Sequence, residues 1–152
     1  MTPADCFVCA KQRGELTLPG GAIYQDALLS VGHAAPRAAT PDATYLGWLV
    51  VETRRHAPGL ADLQPAEAEA VGAMAAHLAR ALRAVVGAEH VYAFVLGDHV
   101  PHFHEHVVAR YPGAPPEFWG LRVDDWPDAP RGDAAAIVAL CDRLRAWLAS
   151  TR

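Results

Sequence analysis

The pattern of apolar and polar positions along the chain predicts strands, a helix, more strands and a last helix. The first twenty residues read as an irregular lead-in that ends at the turn signal Pro19-Gly20-Gly21. Ala22 to Val31 suits a hairpin with Gln25-Asp26 near its turn, and His33 to Ala43, rich in Pro, Ala and Thr, suits a loop. Tyr45 to Thr53 is short, bulky and partly β-branched, which predicts a largely buried strand. A connector, Arg54 to Gln64, leads to the clearest helix, Pro65 to Val86. Val71, Met74, Ala75, Leu78, Leu82 and Val85 recur on one of its faces. Proline suits its first position, acidic Glu67 and Glu69 suit its early turns, and Gly87 suits its end. His90 to Leu96 reads as a second central strand. Gly97 to Pro101 reads as a tight connection, and Phe103 to Ala109 as a third strand. Tyr111 to Arg131, full of Pro, Gly and Trp, predicts an ordered but irregular segment. Asp133 then caps a final helix to about residue 150, with Ile137, Leu140, Cys141, Leu144, Trp147 and Leu148 as its apolar stripe. This order favours an α+β domain with an antiparallel sheet over a doubly wound parallel one.

Composition narrows the class without changing that picture. The 152 residues suit one domain, 1–152, with 52% hydrophobic and 20% charged positions. No apolar run approaches the ~20 residues of a membrane span. The opening Met1-Thr2-Pro3-Ala4-Asp5-Cys6 lacks the basic-then-apolar order of a secretory leader, so a cytoplasmic setting is expected. A net charge of −4, with lysine nearly absent and arginines scattered, argues against polymeric nucleic acid and leaves a single nucleotide open. Of three cysteines, two form Cys6-Phe7-Val8-Cys9, a spacing more often metal-binding or redox-active than disulfide-forming in a reducing compartment.

The candidate chemistry lies at His102, His104 and His106, three of the eight histidines. On a strand this spacing sends all three rings to one face and Phe103, Glu105 and Val107 to the other. Three chemistries use such a face. A chelating site of the barrel amidohydrolase type needs ~250 residues, and one of the His-x-His-x-Asp-His type needs aspartate where Glu105 stands. General acid–base work by one ring and nucleophilic attack by an imidazole nitrogen both remain.

His102-Phe103-His104-Glu105-His106-Val107-Val108 resembles the histidine triad (HIT) signature, His-φ-His-φ-His-φ-φ with φ hydrophobic. Gly47-Trp48-Leu49-Val50-Val51-Glu52-Thr53-Arg54-Arg55-His56 is similar to that family's strand and basic-His segment. Leu60 to Glu67 is similar to the start of its long helix, and Cys6-Phe7-Val8-Cys9 to the Cys-x-x-Cys of its zinc-bearing members. The resemblance implies a HIT-like fold: a sheet of about five antiparallel strands, a long central helix and a C-terminal helix. It implies a nucleotide hydrolase or transferase acting on a nucleoside phosphoramidate or dinucleoside polyphosphate type of linkage. In that reading His104 attacks phosphorus, the His102 carbonyl fixes its tautomer, and His106 contacts the phosphate or helps protonate the leaving group. Structural zinc on Cys6, Cys9, His56 and His102, and a homodimer, are also implied.

The sequence departs from the family pattern in three places. Glu105 stands at a hydrophobic position, so either that face is partly wet or Glu105 pairs with an arginine. Asp98 and His99 occupy positions that commonly approach the substrate phosphate, and the usual Asn before that loop is replaced in Val91-Tyr92-Ala93-Phe94. By the same analogy Tyr24, Leu28 and Leu29 either line the base pocket or belong to the core, which the sequence alone does not separate. Arg110 shares the triad's parity but lies roughly 20 Å along the strand from His104, which favours solvent exposure. Trp119 and Trp126 are expected to pack on the core, and Cys141 to be an inert core thiol. The alternative reading is a zinc-stabilised nucleotide-binding module with little or no catalysis, favoured by Asp98 and Glu105 and disfavoured by an intact His104. A DNA-end processing enzyme of the adenylate-removing type is a third, opposed by the acidic balance.

Overall fold

The structure, a computed structural model, describes residues 3–151. The opening Met1-Thr2 and the last residue, and so the outer ends of the 1–152 domain, lie outside the described residues. Along the chain run α1 (Phe7–Gln12), β1 (Ala22–Gln25), β2 (Leu29–His33), β3 (Thr44–Tyr45), β4 (Trp48–Thr53), α2 (Pro65–Val86), β5 (His90–Phe94), β6 (His104–Arg110), β7 (Arg131–Gly132) and α3 (Ala134–Ser150). Five strands pair antiparallel in the order β1-β2-β4-β6-β5, and β3 pairs with β7 in a small second sheet. No helix among the described residues is long and apolar enough to cross a membrane.

Local chemistry explains most element ends. Asp26 Oδ1 accepts from the backbone N–H of Leu28 and of Leu29, both at 2.8 Å, which closes the β1–β2 turn. At the start of α2 the Glu67 carboxylate accepts from Gln64 N at 2.8 Å and from Arg55 Nη2 at 2.6 Å. Gly87 ends the helix in the left-handed region at φ 70°. Asp133 caps α3 through its carboxylate and Ala136 N, 2.9 Å apart.

Helices α2 and α3 cover one face of the sheet. Leu78, Leu82, Ile137 and Leu144 are fully buried there, each burial worth roughly 1.5–3 kcal/mol. Cys141 is buried in the same layer, and burial pushes its thiol up to about 11, so it is a packing residue. It lies so close to Gly20 that a Cβ there would sit 2.3 Å from its sulfur, and Gly20 also has φ 81°.

The structure differs from the sequence expectations at four places. The lead-in contains α1, held down by the buried Val8 and by Gln12 Nε2, which donates to Thr53 O at 3.0 Å. The expected Tyr45–Thr53 strand is split, because Gly47 turns the backbone at φ 86° where a Cβ would meet the Tyr111 hydroxyl at 3.0 Å. The strand from His90 lies at the sheet edge rather than centrally and stops at Phe94: β6 sits between β4 and β5 and is the only strand that pairs with β5 among the described residues. Phe103 falls outside β6, since its N–H bonds to Ala57 O and the β4–β6 ladder ends at Glu52 opposite His104. The 111–132 segment is ordered by turns of 3-10 helix at Pro116–Phe118 and Gly120–Asp125, and by β7.

Candidate functional site

Strand register sets the site. Directly opposed residues share a face, so Glu52 with His104 and Val50 with His106 turn to the sheet face away from α2 and α3. On the other side of β6, Phe94 opposes His106 and stacks on its ring with centroids 5.0 Å apart. The His104 and His106 rings meet edge to face at 5.1 Å.

Three hydrogen bonds fix where each ring carries its proton. A carbonyl only accepts, so His104 Nδ1, 2.7 Å from His102 O, is the protonated nitrogen and Nε2 of the neutral ring holds the lone pair. His102 Nε2 lies 2.8 Å from Thr53 O, so it donates there and Nδ1 holds the lone pair. The third bond has the opposite sense. Trp48 Nε1, which only donates, lies 2.9 Å from His106 Nδ1, so His106 carries its proton on Nε2. Burial first, and then the His104 ring, push His106 down to about 4, which keeps it neutral. Burial likewise lowers His102 and His33. His33 donates from Nδ1 to Ala34 O at 2.9 Å and accepts from Gly47 N at Nε2, so both its nitrogens are used structurally.

Two cavities meet at His106. The first, of about 180 Å³, lies over His104 and is walled by Phe7, Val8, Val50, Val100 and the Lys11–Glu52 ion pair, closed at 2.5 Å. The second, of about 200 Å³, is walled by Trp48, Tyr45, Thr44, Arg37 and Asp124. His106, Ala34 and Ala35 line both. Sequence reasoning did not single out Trp48, Lys11, Arg37 or Asp124 as site residues. The parity of Trp48 with Val50 and Glu52 on one strand was the available signal.

Cys6, Cys9, His56 and His102 converge, with one ligand atom from each within 4.8 Å of all the others, and form a group able to hold a metal ion. Cys6 Sγ and Cys9 Sγ each lie 3.5 Å from His102 Nδ1, and Cys9 Sγ lies 3.3 Å from His56 Nδ1. Tetrahedral zinc with ligands at ~2.3 Å (S) and ~2.05 Å (N) sets sulfur and nitrogen about 3.6 Å apart, so the donor set fits. The His102 tautomer fits as well, since its Nδ1 lone pair faces the thiols while Nε2–H is held by Thr53. Burial, with help from Cys6, pushes the Cys9 thiol up to about 11, a tendency that a bound Zn2+ reverses.

The remaining candidates fall outside this cluster. Asp98 and His99 are exposed on the β5–β6 connection and line neither cavity; Val100 lines the one over His104. Tyr24 and Leu29, expected at the base pocket, instead line a groove with Ala70, Met74 and His77, while Leu28 packs against the core. The reason is register: Leu29 pairs with Thr53, and Tyr24 with Val31, on the parity that faces the helices. Glu105 faces the helix side, half-buried, with Oε2 buried and unpartnered, and burial raises its carboxyl. No arginine pairs with it among the described residues, so the expected arginine partner is not found. Arg110 is not solvent-exposed as expected. It lies 4.1 Å from the Trp119 ring centroid and bonds Tyr92 and Glu89. Trp126 packs against the core, while Trp119 is itself 45% exposed.

The HIT domain family matches residues 24–113. Among solved structures, a zinc-bound histidine triad family protein from Mycobacterium smegmatis is similar at 21% identity and TM-score 0.73, covering 99% of this chain and 100% of that one. A histidine triad protein from Bradyrhizobium japonicum is 26% identical, with TM-score 0.62 over 82% of this chain and 87% of that one. A Hit-like protein involved in cell-cycle regulation from Bartonella henselae is 14% identical, with TM-score 0.71 over 93% and 95%. No curated protein matches this chain.

Proposed function

The chain belongs to the histidine triad (HIT) family, whose membership supports a nucleotide-binding or hydrolase type of function in general, and from that premise we propose a nucleotide hydrolase or transferase that works through His104. The carrying observation is the 2.7 Å bond from His104 Nδ1–H to the His102 carbonyl beside an open cavity. It leaves Nε2 as a lone-pair nucleophile that attacks without first losing a proton. In the first step a bond forms from Nε2 to the α-phosphorus. The bond to the leaving group breaks, and its electron pair departs with that group. In the second step a water oxygen, or another acceptor, bonds to phosphorus and the phosphorus–nitrogen bond breaks, returning the pair to Nε2. The proton released by water passes to solvent. Linkages of the phosphoramidate and dinucleoside polyphosphate type both offer such a bond; a phosphate leaves as the anion, whereas an amine also takes a proton, from solvent, as it departs.

Charge stabilisation falls to the neighbours. His106 offers Nε2–H to a phosphoryl oxygen, and Lys11 supplies an ammonium in the same cavity as His104. Phe7, Val8 and Val50 give an apolar wall suited to a nucleobase. Asp98 and His99, on the exposed connection, are assigned to the substrate rim. Zinc on Cys6, Cys9, His56 and His102 is structural in this reading, because four protein ligands leave no open position for substrate. It ties the lead-in to His102, whose carbonyl orients the nucleophile. The reading includes a cytoplasmic homodimer: the cysteines are unpaired, and β5 is a half-exposed sheet edge open to pairing.

The test is intact-protein mass after a brief acid-free quench with nucleoside phosphoramidates and dinucleoside polyphosphates. A nucleotide-sized mass increase with released product is the expected result. Binding without adduct or turnover would sink covalent catalysis and leave the binding module.

Trp48 is expected to act as a positioning residue. Trp48→Phe keeps an aromatic ring but removes the donor to His106 Nδ1. Turnover should fall about 10-fold, the effect of one hydrogen bond worth ~1.4 kcal/mol. Nitrogen-15 NMR of His106 should show Nδ1 losing its exclusive acceptor character. An unchanged tautomer and unchanged turnover would remove Trp48 from the site.

A further inference from the structure

Resting on the reading above, we propose that the cavity between His106 and the 111–132 segment is the leaving-group subsite, and that it takes an anionic, phosphorylated leaving group rather than an amine. Two independent observations carry this. The first is the chemistry of His106. Its Nδ1 accepts from Trp48 and its only proton sits on Nε2, so giving that proton up would leave an imidazolate. His106 therefore donates a hydrogen bond but does not supply a proton. An amine must gain a proton to depart, whereas a phosphate leaves as the anion and needs none.

The second observation is the charge at the cavity wall, which Arg37 and Asp124 line with Arg131 bound to Asp124 behind them. Asp124 carries two guanidiniums: Arg131 Nη1 at 2.5 Å from Oδ1, and Arg37 Nη2 on Oδ2. The cluster is thus one positive charge in excess. Arg131 is used up, since it also donates to the carbonyls of Asp124, Trp126 and Ala43. Arg37 differs. Its side chain is 69% exposed, Asp124 is the partner that orients it, and it lines the cavity. It is placed as a planar, bidentate phosphate donor. Each cavity by itself is below the ~300 Å³ of an ordinary ligand pocket, and the two share His106, Ala34 and Ala35. A nucleotide conjugate spans both, with its reacting phosphate at the shared histidine, its nucleoside toward Phe7 and its leaving phosphates toward Arg37.

The experiment compares diadenosine tetraphosphate with adenosine 5′-phosphomorpholidate, whose leaving group is an amine, in wild type, Arg37→Ala and Arg37→Lys. Turnover is read together with the nucleotidyl adduct by mass. Wild type should favour the tetraphosphate in kcat/KM by about 100-fold or more. Arg37→Ala should lower kcat/KM on the tetraphosphate by about 10- to 100-fold and leave the morpholidate unchanged, with Arg37→Lys in between. Wild-type preference for the morpholidate, or an equal loss on both substrates in Arg37→Ala, would overturn the subsite while an adduct still forms. Absence of an adduct from either substrate would overturn the covalent reading itself, and the subsite with it.

Discussion

Replacing His104 with alanine is expected to reduce turnover by at least about 10⁴-fold and to abolish the nucleotidyl adduct. The size follows from its role. His104 is the group whose lone pair is both oriented toward the cavity and freed by a hydrogen bond at its other nitrogen. Its neighbours cannot replace it: His102 turns its lone pair to the thiols, and His106 commits its own to Trp48. The fold should survive. His104 is half-exposed, and the lost bond to the His102 carbonyl costs about 1 kcal/mol. Nucleotide binding should therefore persist in the variant, measured by calorimetry at an unchanged melting temperature. Residual turnover above about 1% of wild type would assign the nucleophile elsewhere.

The second large effect is expected on removing the metal. Purified protein should carry one zinc per chain by elemental analysis. Stripping it with a strong chelator, or making Cys6→Ser, should lower the melting temperature by on the order of 10 °C, as a loss of several kcal/mol does at this chain length. Cys6 and His102 are both fully buried, 96 residues apart in sequence, and the ion would cross-link α1 to the approach of β6. The helix-side core does not depend on that link, so the stripped protein should stay folded at room temperature. Turnover should drop about 10- to 100-fold, as it does when the groups orienting a site are lost, because the His102 carbonyl would no longer be fixed. A metal-free preparation whose melting temperature ignores the chelator would sink the zinc reading.

Much of the fold was legible because its determinants are local. Pro65, Glu67 and Gly87 bound α2, and Asp133 caps α3, within one or two turns of the residues they affect. The apolar period of each helix named its buried face, and the resemblance to the zinc-bearing members of the family named the four residues of the metal group. The lead-in helix was less legible, since its six residues are too few to form alone and depend on Thr53 and Glu52 for anchorage. Strand placement was not local either. His90–Phe94 is no less apolar than a central strand, yet it lies at the edge because β6 takes the place beside β4.

The sequence by itself determined most element types and which histidines share a face, because helix period, caps and side-chain alternation act over a few residues, and the triad motif carried the resemblance to the family. Only the tertiary structure decided which ring nitrogen of each histidine is free. The alternation that gives His104 and His106 one face cannot say which nitrogen of a ring is free, because that depends on a carbonyl from residue 102 or an indole from residue 48. His102 has similar chemistry and faces the thiols because Thr53 O, at the end of β4, takes its other nitrogen. Arg37, Asp124 and Arg131 are far apart along the chain and meet because β3 pairs with β7, bringing the Pro- and Trp-rich segment to the edge of the site. Charge at a site is a sum over neighbours in space, and sequence spacing does not contain that sum.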